Sequence, residues 1–379
     1  MDTTARTDVL GLTFAEFSSY LRDRVGYCDR FHRALYRQIM TTGRCEPHVL
    51  PEWQEAERDV PGIYDRLSTL IGRDQLPTII NEYTAHDPLL GTTRKLVLRL
   101  HDGKEIESVL IPMGGGTEQG GFATVCVSSQ VGCRMGCRFC HTATMGLLRH
   151  LQPEEIVAQV VAVAAYAGVV PRNVVFMGMG EPLDNLDAVA QAVAVLTDHS
   201  GLRVAHRHIS ISTVGRVDGL ERMPALGLNR VNLAVSLTAA NDELRSSLMP
   251  VNRLYNLAVL RAALAAFPLT GGRHILISYV LMAGVNDRDE HIDALIKWCD
   301  GLPVLVNLIP YNPIPSRHEE PTPADRVDAV HQIIKAAGVH VRIRRTKGDA
   351  VMAACGQLGD PAQRQRLAQL TTDRPIAWH

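Results

Sequence analysis

The sequence lacks a long hydrophobic run, and neither sign of charge is in marked excess. The longest apolar run, residues 160–170, has 11 residues and is too short to cross a bilayer as a helix. The first ten residues hold neither a basic region nor an apolar core, so we expect no signal peptide, a cytoplasmic location and no membrane partner. The formal net charge is −1, so no overall positive field indicates a nucleic-acid partner, although a local basic strip would suffice.

Cysteine is the residue whose presence needs an explanation. The chain has 8 cysteines, and in a reducing compartment they are not expected to form a structural disulfide framework. Some of them must therefore be metal ligands, redox thiols or core residues. Cys28, Cys45 and Cys299 belong to no motif and are interpreted as structural or surface thiols.

The pattern of strands and helices predicts an α/β protein in four segments. Residues 1–93 are predicted as a helical N-terminal domain, 94–123 as a β-hairpin with a glycine-rich connector, 124–360 as the main domain and 361–379 as a tail. Repeated βα units in the main domain predict a parallel sheet, most simply a barrel or partial barrel, with its chemistry on the loops after the strands. The predicted strands are 124–129, 173–178, 207–213, 230–236, 273–282, 303–308 and 339–345.

Cys133, Cys137 and Cys140 follow the first strand of the main domain at C-x₃-C-x₂-C spacing. Three thiolates on one loop can hold three corners of a 4Fe–4S cubane and leave the fourth iron without a protein ligand. Such an open iron suits chelation of S-adenosylmethionine (SAM) and its reductive cleavage. The alternative is a zinc site, but zinc usually requires a fourth Cys or His nearby, and His141 is awkwardly placed for a tetrahedral site.

Further polar groups follow other strands of the same domain. Gly178 and Gly180 allow close backbone approach beyond one strand, and Glu181 could accept a hydrogen bond from the SAM ammonium group. Neutral groups that suit ribose and carboxylate follow three more strands, at Ser212, Ser236 and Asn312. Each alone is more typical of a turn residue, but their common position favours one site.

These residues resemble the Cfr/RlmN-type radical SAM RNA methyltransferases, which methylate carbon 2 or carbon 8 of adenine in ribosomal or transfer RNA. The chain is identified as a divergent member by strings across residues 95–360: CVSSQVGC at 126–133, CRFC at 137–140, GMGEPL at 178–183, NDELR at 241–245 and AACGQL at 353–358. The resemblance implies a partial (β/α) barrel of the radical SAM type. It also implies a small helical N-terminal domain that helps to bind RNA.

The resemblance assigns roles to three residues outside the cysteine triad. Cys355 would take a methyl group from a first SAM, and a deoxyadenosyl radical from a second SAM would remove hydrogen from that methyl group. The resulting carbon radical would add to the adenine ring, and Glu107 would remove the ring proton as general base. Cys126 would then attack Cys355, form a transient disulfide and release the methylated base.

The resemblance also implies a set of SAM contacts and partners. An external electron donor such as flavodoxin or ferredoxin would reduce the cluster, and we expect the protein to be a monomer. The basic run at 342–347 could hold RNA phosphates, or it could be a solvated strand edge. The implied SAM contacts are Gly180, Glu181, Ser212, Ser236, Leu237, Thr238 and Asn312.

The chain departs from the family pattern at several positions. The family usually has His at the position of Thr238 and Asn at that of His150, and the N-terminal domain matches only faintly. Two alternatives therefore stay open at this point. One is a radical SAM methylase of a small molecule or peptide, and the other is a non-catalytic iron–sulfur or zinc protein that binds RNA.

Overall fold

The computed structural model describes residues 7–26, 29–72, 75–88, 91–113, 122–315, 317–344, 351–360 and 362–363. Cys28, the glycine-rich connector at 114–121 and most of the C-terminal tail lie outside the described residues. The basic run at 342–347 is described only as far as Arg344.

The N-terminal region is helical up to Leu70, within the segment 1–93 that was predicted as helical. It contains α1 (Phe14–Arg24), α2 (Asp29–Thr42), α3 (Trp53–Asp59) and α4 (Ile63–Leu70). Helix α1 begins at a capping box: the Thr13 amide donates to the Glu16 carboxylate at 2.7 Å, and the Glu16 amide donates to the Thr13 hydroxyl at 3.4 Å.

Four antiparallel strands form one half of a ten-stranded sheet: β1 (Thr78–Asp87), β2 (Gly91–Arg99), β3 (Glu105–Met113) and β4 (Phe122–Cys126). The predicted hairpin is β2 with β3. Strand β1 lies in the segment that the sequence analysis assigned to the helical domain. No residue of β1 is fully buried, so it lacks the alternation of apolar and polar residues that identifies a strand in sequence.

The other half of the sheet continues from β4 in parallel: β7 (Pro171–Phe176), β8 (Ile209–Thr213), β9 (Asn232–Ser236), β10 (Ile275–Leu281), β11 (Val304–Pro310) and β12 (Val341–Ile343). The strand order is β1-β2-β3-β4-β7-β8-β9-β10-β11-β12, so β1 and β12 are edges, and within the described residues the sheet does not close. The predicted partial barrel is confirmed. Six of the seven predicted strands have both ends within two residues of the prediction, and the first, predicted at 124–129, ends three residues earlier, at Cys126.

Helices cover the outer face of the parallel half. They are α5 (Pro153–Ala167), α6 (Leu186–Thr197), α7 (Val217–Arg222), α8 (Asp242–Leu248), α9 (Leu257–Ala266), α10 (Asp289–Cys299) and α11 (Ala324–Ala336). One hydrophobic core runs from the N-terminal helices through this layer to the sheet. The N-terminal region is tied to the layer by the Phe14 amide, which donates to Asp198 at 2.7 Å.

A separate two-stranded ribbon carries the first cysteine of the triad. It consists of β5 (Gln130–Cys133) and β6 (Gly146–His150), which the sequence analysis did not predict. Gly132 permits the ribbon because its φ is +77° and a Cβ there would lie 1.9 Å from the carbonyl oxygen of Gly146. No helix in the described part of the chain is long and apolar enough to span a membrane.

Candidate active site

Cys133, Cys137 and Cys140 line one cavity at the carboxyl ends of the parallel strands, which we call the upper cavity. Cys133 ends β5, and the loop after it brings the other two thiols to the same space. The loop is fixed by the Arg138 amide, which donates to the carbonyl of Leu248 at 2.8 Å. The pKa of Cys133 is raised to about 12, mainly by burial, and the neighbouring Cys140 contributes to the rise. Three thiols thus share one space, two of them buried and that of Cys140 half-buried.

The upper cavity suits a cluster better than a single metal ion. No group of three or more His, Cys, Asp or Glu side chains in the described residues is placed to hold one ion. Two thiolates on one zinc ion, each about 2.3 Å from the metal, would have to come within roughly 4 Å of each other. The Tyr311 hydroxyl is buried at this cavity and has no hydrogen-bond partner among the described residues, so a polar group remains for a ligand. These donors fit the predicted cluster and SAM.

Five of the seven predicted SAM contacts lie around the same cavity: Gly180, Glu181, Ser212, Ser236 and Asn312. The other two, Leu237 and Thr238, do not line it. Leu237 is fully buried in the core. Thr238 has a φ of +60°, and its buried hydroxyl has no partner among the described residues.

Glu181 connects two loops of the site. One carboxylate oxygen accepts from the Leu183 amide at 3.1 Å, and the other accepts from the Val214 amide at 2.9 Å. Burial raises the pKa of Glu181 to about 7, and these hydrogen bonds oppose the rise. The carboxylate therefore joins the loop after β7 to the loop after β8, besides facing the cavity.

The segment 351–360, which carries Cys355, is held against the site by hydrogen bonds from three directions. Asn312, after β11, donates to the carbonyl of Cys355 at 3.0 Å. The His141 amide, in the cysteine loop, donates to the carbonyl of Gly356 at 2.7 Å. The Gly359 amide donates to the Glu107 carboxylate on β3 at 3.0 Å. These contacts place a C-terminal cysteine beside a loop more than two hundred residues earlier in the chain.

Cys126 and Cys355 line a second, larger cavity of about 660 Å³ inside the curved sheet, which we call the barrel cavity. Burial raises the pKa of Cys126 to about 12, and the neighbouring Cys355 contributes to the rise. Both cysteines are free thiols in the structure. Cys355 also lines the upper cavity, so one thiol lies where the two cavities join.

Glu107 lies beside this arrangement, but it lines neither cavity. Its side chain is buried on β3, where Lys95 donates to it at 3.4 Å and Gly359 at 3.0 Å. Burial raises the pKa of Glu107, and the charge of Lys95 opposes the rise. Leu358 lines both cavities, and the next residue, Gly359, donates the hydrogen bond to Glu107.

The sequence analysis missed two arginines. Arg245 is fully buried and donates to the backbone carbonyls of Leu237, Val214 and Ser236 at 3.2, 2.8 and 3.2 Å. Arg245 therefore fixes the ends of β8 and β9. Its place in the NDELR string was the feature of the sequence that could have indicated this role. Arg344 lines both cavities. It belongs to the basic run at 342–347, which the sequence suggested as a contact for RNA phosphates or as a solvated strand edge.

Comparison with known proteins identifies the family. Residues 127–298 match the model of the radical SAM superfamily. A probable dual-specificity RNA methyltransferase RlmN 1 of Protochlamydia amoebophila is 42% identical over 270 residues, which cover 71% of this chain and 74% of the relative. The dual-specificity RNA methyltransferase RlmN 2 of Myxococcus xanthus is 44% identical over 288 residues, which cover 74% of each chain.

A solved structure is similar to this protein over almost the whole chain. The crystal structure of a radical SAM methyltransferase from Sphaerobacter thermophilus superposes with a TM-score of 0.78 at 37% identity and covers 92% of this chain and 98% of its own. The cysteine triad, the partial barrel and these similarities all indicate the same family. The chain belongs to the RlmN-type family of radical SAM RNA methyltransferases.

Proposed function

We propose that this protein methylates carbon 2 or carbon 8 of an adenine in ribosomal or transfer RNA, through an S-methylcysteine at Cys355 and with two SAM per turnover. The observation that supports it most is the position of Cys355 at the junction of the two cavities, with Cys126 lining the barrel cavity beside it. A thiol there can meet SAM on one side and a base on the other. A merely structural cysteine requires neither a second thiol nor a second cavity.

The three thiols of Cys133, Cys137 and Cys140 would hold a 4Fe–4S cluster, and the five polar residues of the upper cavity would hold SAM. Together these groups supply an activated methyl group and a radical that abstracts hydrogen. Leu237 and Thr238 would act indirectly, because they support the loop after β9 from behind the cavity. An external donor such as flavodoxin or ferredoxin would supply the electron.

The chain's own groups account for the remaining chemistry. The Cys355 thiolate would attack the methyl carbon of SAM, and S-adenosylhomocysteine would leave. After the methyl group loses one hydrogen atom to the deoxyadenosyl radical, its carbon would bond to the adenine ring, and the cluster would supply the acceptor for the unpaired electron of the adduct. Glu107 would accept the ring proton, once a shift of segment 351–360 releases it from Gly359. Cys126 would attack the Cys355 sulfur, so that a disulfide forms as the sulfur–carbon bond breaks. An external reductant would return both cysteines to thiols.

We propose a role for each of the four segments of the chain. Residues 1–93 would form an accessory domain that contacts RNA, 94–123 a connecting hairpin, 124–360 the catalytic domain and 361–379 a tail. We propose a monomer that works in the cytoplasm.

The test is mass spectrometry of the full-length protein after anaerobic reconstitution of the cluster and addition of SAM. We expect a methyl group on Cys355 in the wild type and none in Cys355→Ala. Cys126→Ala should accumulate a covalent adduct between Cys355 and RNA, because the step that releases the base is lost. Cys45→Ala, which removes a thiol far from both cavities, should behave as the wild type.

Two results would contradict the proposal. One is an unmethylated Cys355 in protein that holds a full cluster and consumes SAM. The other is a Cys126→Ala variant that attaches to small molecules but never to RNA, which would favour a small-molecule methylase instead.

A further inference from the structure

The lower end of the parallel sheet, opposite the cysteine loop, is surrounded by basic side chains. They lie in the loops that lead into the strands or in the first residues of the strands. We call this set the basic ring: Arg172, Arg207, Arg230, Arg273 and Arg342, with His206, His208, His274 and His340. Two acidic residues of the same loops, Asp198 and Asp300, are the C-caps of α6 and α10. A chain with a net charge of −1 thus concentrates positive charge at one end.

The basic ring differs from the arginines of the upper end in its ion pairs. At the upper end Arg134, Arg138 and Arg216 pair with the carboxylates of Asp184, Glu319 and Asp218. Among the described residues no acidic side chain forms an ion pair with Arg207 or Arg342, and both are exposed. Unpaired arginines, which donate several hydrogen bonds in a fixed plane, are suited to bind phosphate.

Neighbouring positive charges shift the pKa of a histidine in the basic ring. The pKa of His208 is lowered by partial burial and by the charges of Arg172 and Arg207. Its ring also lies 2.9 Å from the side-chain oxygen of Asn173, at the mouth of the barrel cavity. The histidines are thus placed to give hydrogen bonds, while the arginines carry the charge.

The barrel cavity connects this ring to the reactive thiols. Arg207, His208, His274 and Arg342 line its lower part, and Cys126 and Cys355 line its upper part. Strand β4, from Phe122 to Cys126, spans most of that distance, about 13 Å at a rise of about 3.3 Å per residue. Among the described residues, no Asp or Glu lines the cavity. Its walls are apolar side chains of the strands, such as Val175 and Leu276, which suit a flat base better than a charged group.

We propose that the basic ring is the RNA entrance, where Arg207 and Arg342 hold phosphates on either side of the target nucleotide while its flipped-out base enters the barrel cavity toward Cys355. This inference rests on the proposed function and adds the side from which RNA approaches. The cysteine loop and the upper cavity, where SAM would bind, lie at the opposite end, so the polyanion and SAM would reach Cys355 from different sides.

The test compares two double variants of the full-length protein that lose the same charge. Arg207→Gln with Arg342→Gln removes two members of the basic ring. Arg222→Gln with Arg288→Gln removes two exposed arginines on the outer helical layer, each from a surface ion pair. The probe is a fluorescein-labelled single-stranded RNA that contains adenine, and Kd is measured by anisotropy over a range of salt concentrations.

We expect the ring variant to bind the RNA about tenfold more weakly at 0.1 M salt, and its slope of log Kd against log salt to fall by about 1.4, near 0.7 per lost phosphate contact. The control variant should stay within about twofold of the wild type. If Arg342→Gln disturbs folding through its lost contact with Asn307, the single variant Arg207→Gln is compared with the single control Arg222→Gln, and the expected change in slope is about 0.7.

Two outcomes separate this inference from the function on which it rests. If the wild type binds and methylates RNA but the ring variant has the affinity and salt slope of the control, RNA enters elsewhere and the inference is wrong. If the wild type methylates Cys355 but neither binds nor methylates RNA, the proposed function is wrong and the entrance is wrong with it.

Discussion

The side-chain amide of Asn312 donates a hydrogen bond to the backbone carbonyl of Cys355, with 3.0 Å between nitrogen and oxygen. Asn312 follows β11 and also lines the upper cavity, so one side chain both faces the predicted SAM site and holds the residue that would be methylated. Loss of the donor should misplace the Cys355 thiol relative to SAM. We expect Asn312→Asp to slow SAM-dependent methylation of Cys355 by about fivefold, since one hydrogen bond stabilises by about 1 kcal/mol.

Timed mass spectrometry of the Cys355 peptide measures this rate at saturating SAM. Asn241→Asp is the matched control: Asn241 caps α8 by accepting from the Leu244 amide, and aspartate caps a helix equally well. Equal rates in Asn312→Asp and the wild type would show that the hydrogen bond does not position Cys355.

Arg245 should contribute strongly to stability as well as to the geometry of the site. Its guanidinium is fully buried and donates to three carbonyls and to the side chain of Asn252 at 2.8 Å. Arg245→Met would leave those acceptors without donors, so we expect the free energy of unfolding to fall by about 3–5 kcal/mol. Urea denaturation measures it. Arg222→Met, on the exposed face of α7, should change it by less than about 0.5 kcal/mol. Similar values for the two variants would contradict this role.

Gly132 should be essential for binding the cluster. A Cβ there would meet the Gly146 carbonyl oxygen at 1.9 Å, and Cys133 is the next residue. We expect Gly132→Ala to retain less than half of the wild-type iron after reconstitution, because the β5–β6 ribbon must shift. Gly227→Ala is the control, since Gly227 has a similar φ of +72° but nothing within 4 Å of the new Cβ. Full iron content in Gly132→Ala would show that the ribbon does not position Cys133.

Asp8 should make stability depend on pH. Burial raises the pKa of this carboxyl to about 6 from 3.8, and nearby Glu154 adds to the rise. The folded state therefore binds the proton more tightly than the unfolded state, so this group costs stability above pH 6 and ceases to cost it as the pH falls toward 4. Asp8→Asn keeps the acceptor for the Leu10 amide and removes the charge.

Denaturation of the wild type and Asp8→Asn at matched pH isolates this group. We expect the variant to be more stable by about 1–2 kcal/mol at pH 8, and the difference to disappear near pH 4. A difference that is the same at both pH values would mean that the charge of Asp8 is not the cause.

The sequence predicted the parallel half of the fold well because its strands are buried and follow one another with short connections. It predicted the cysteine triad and five of the cavity residues because the carboxyl ends of parallel strands meet at one edge. It could not reveal the basic ring, whose members come from separate loops and converge only when the sheet curves. Thr238, predicted as a SAM contact, does not line the upper cavity, and the loop after β9 turns at this residue with a φ of +60° that the sequence could not indicate.

The antiparallel half was harder to predict. Strand β1 is too exposed to show alternation, and the β5–β6 ribbon is too short. Glu107 shows the limit of the resemblance: its role was carried over from the family, but in this structure its carboxylate binds Gly359 instead of facing the barrel cavity.

The central claim is that the methyl carbon reaches RNA through Cys355, and isotope transfer from SAM with a fully deuterated methyl group tests it most directly. Hydrogen is removed from the methyl group while it is attached to Cys355, so the account predicts that the methyl group of the modified adenosine retains two deuterium atoms and gains one hydrogen. Nucleoside mass spectrometry of the RNA measures this. A product methyl group that retains all three deuterium atoms, or one that forms with Cys355→Ala, would contradict the account.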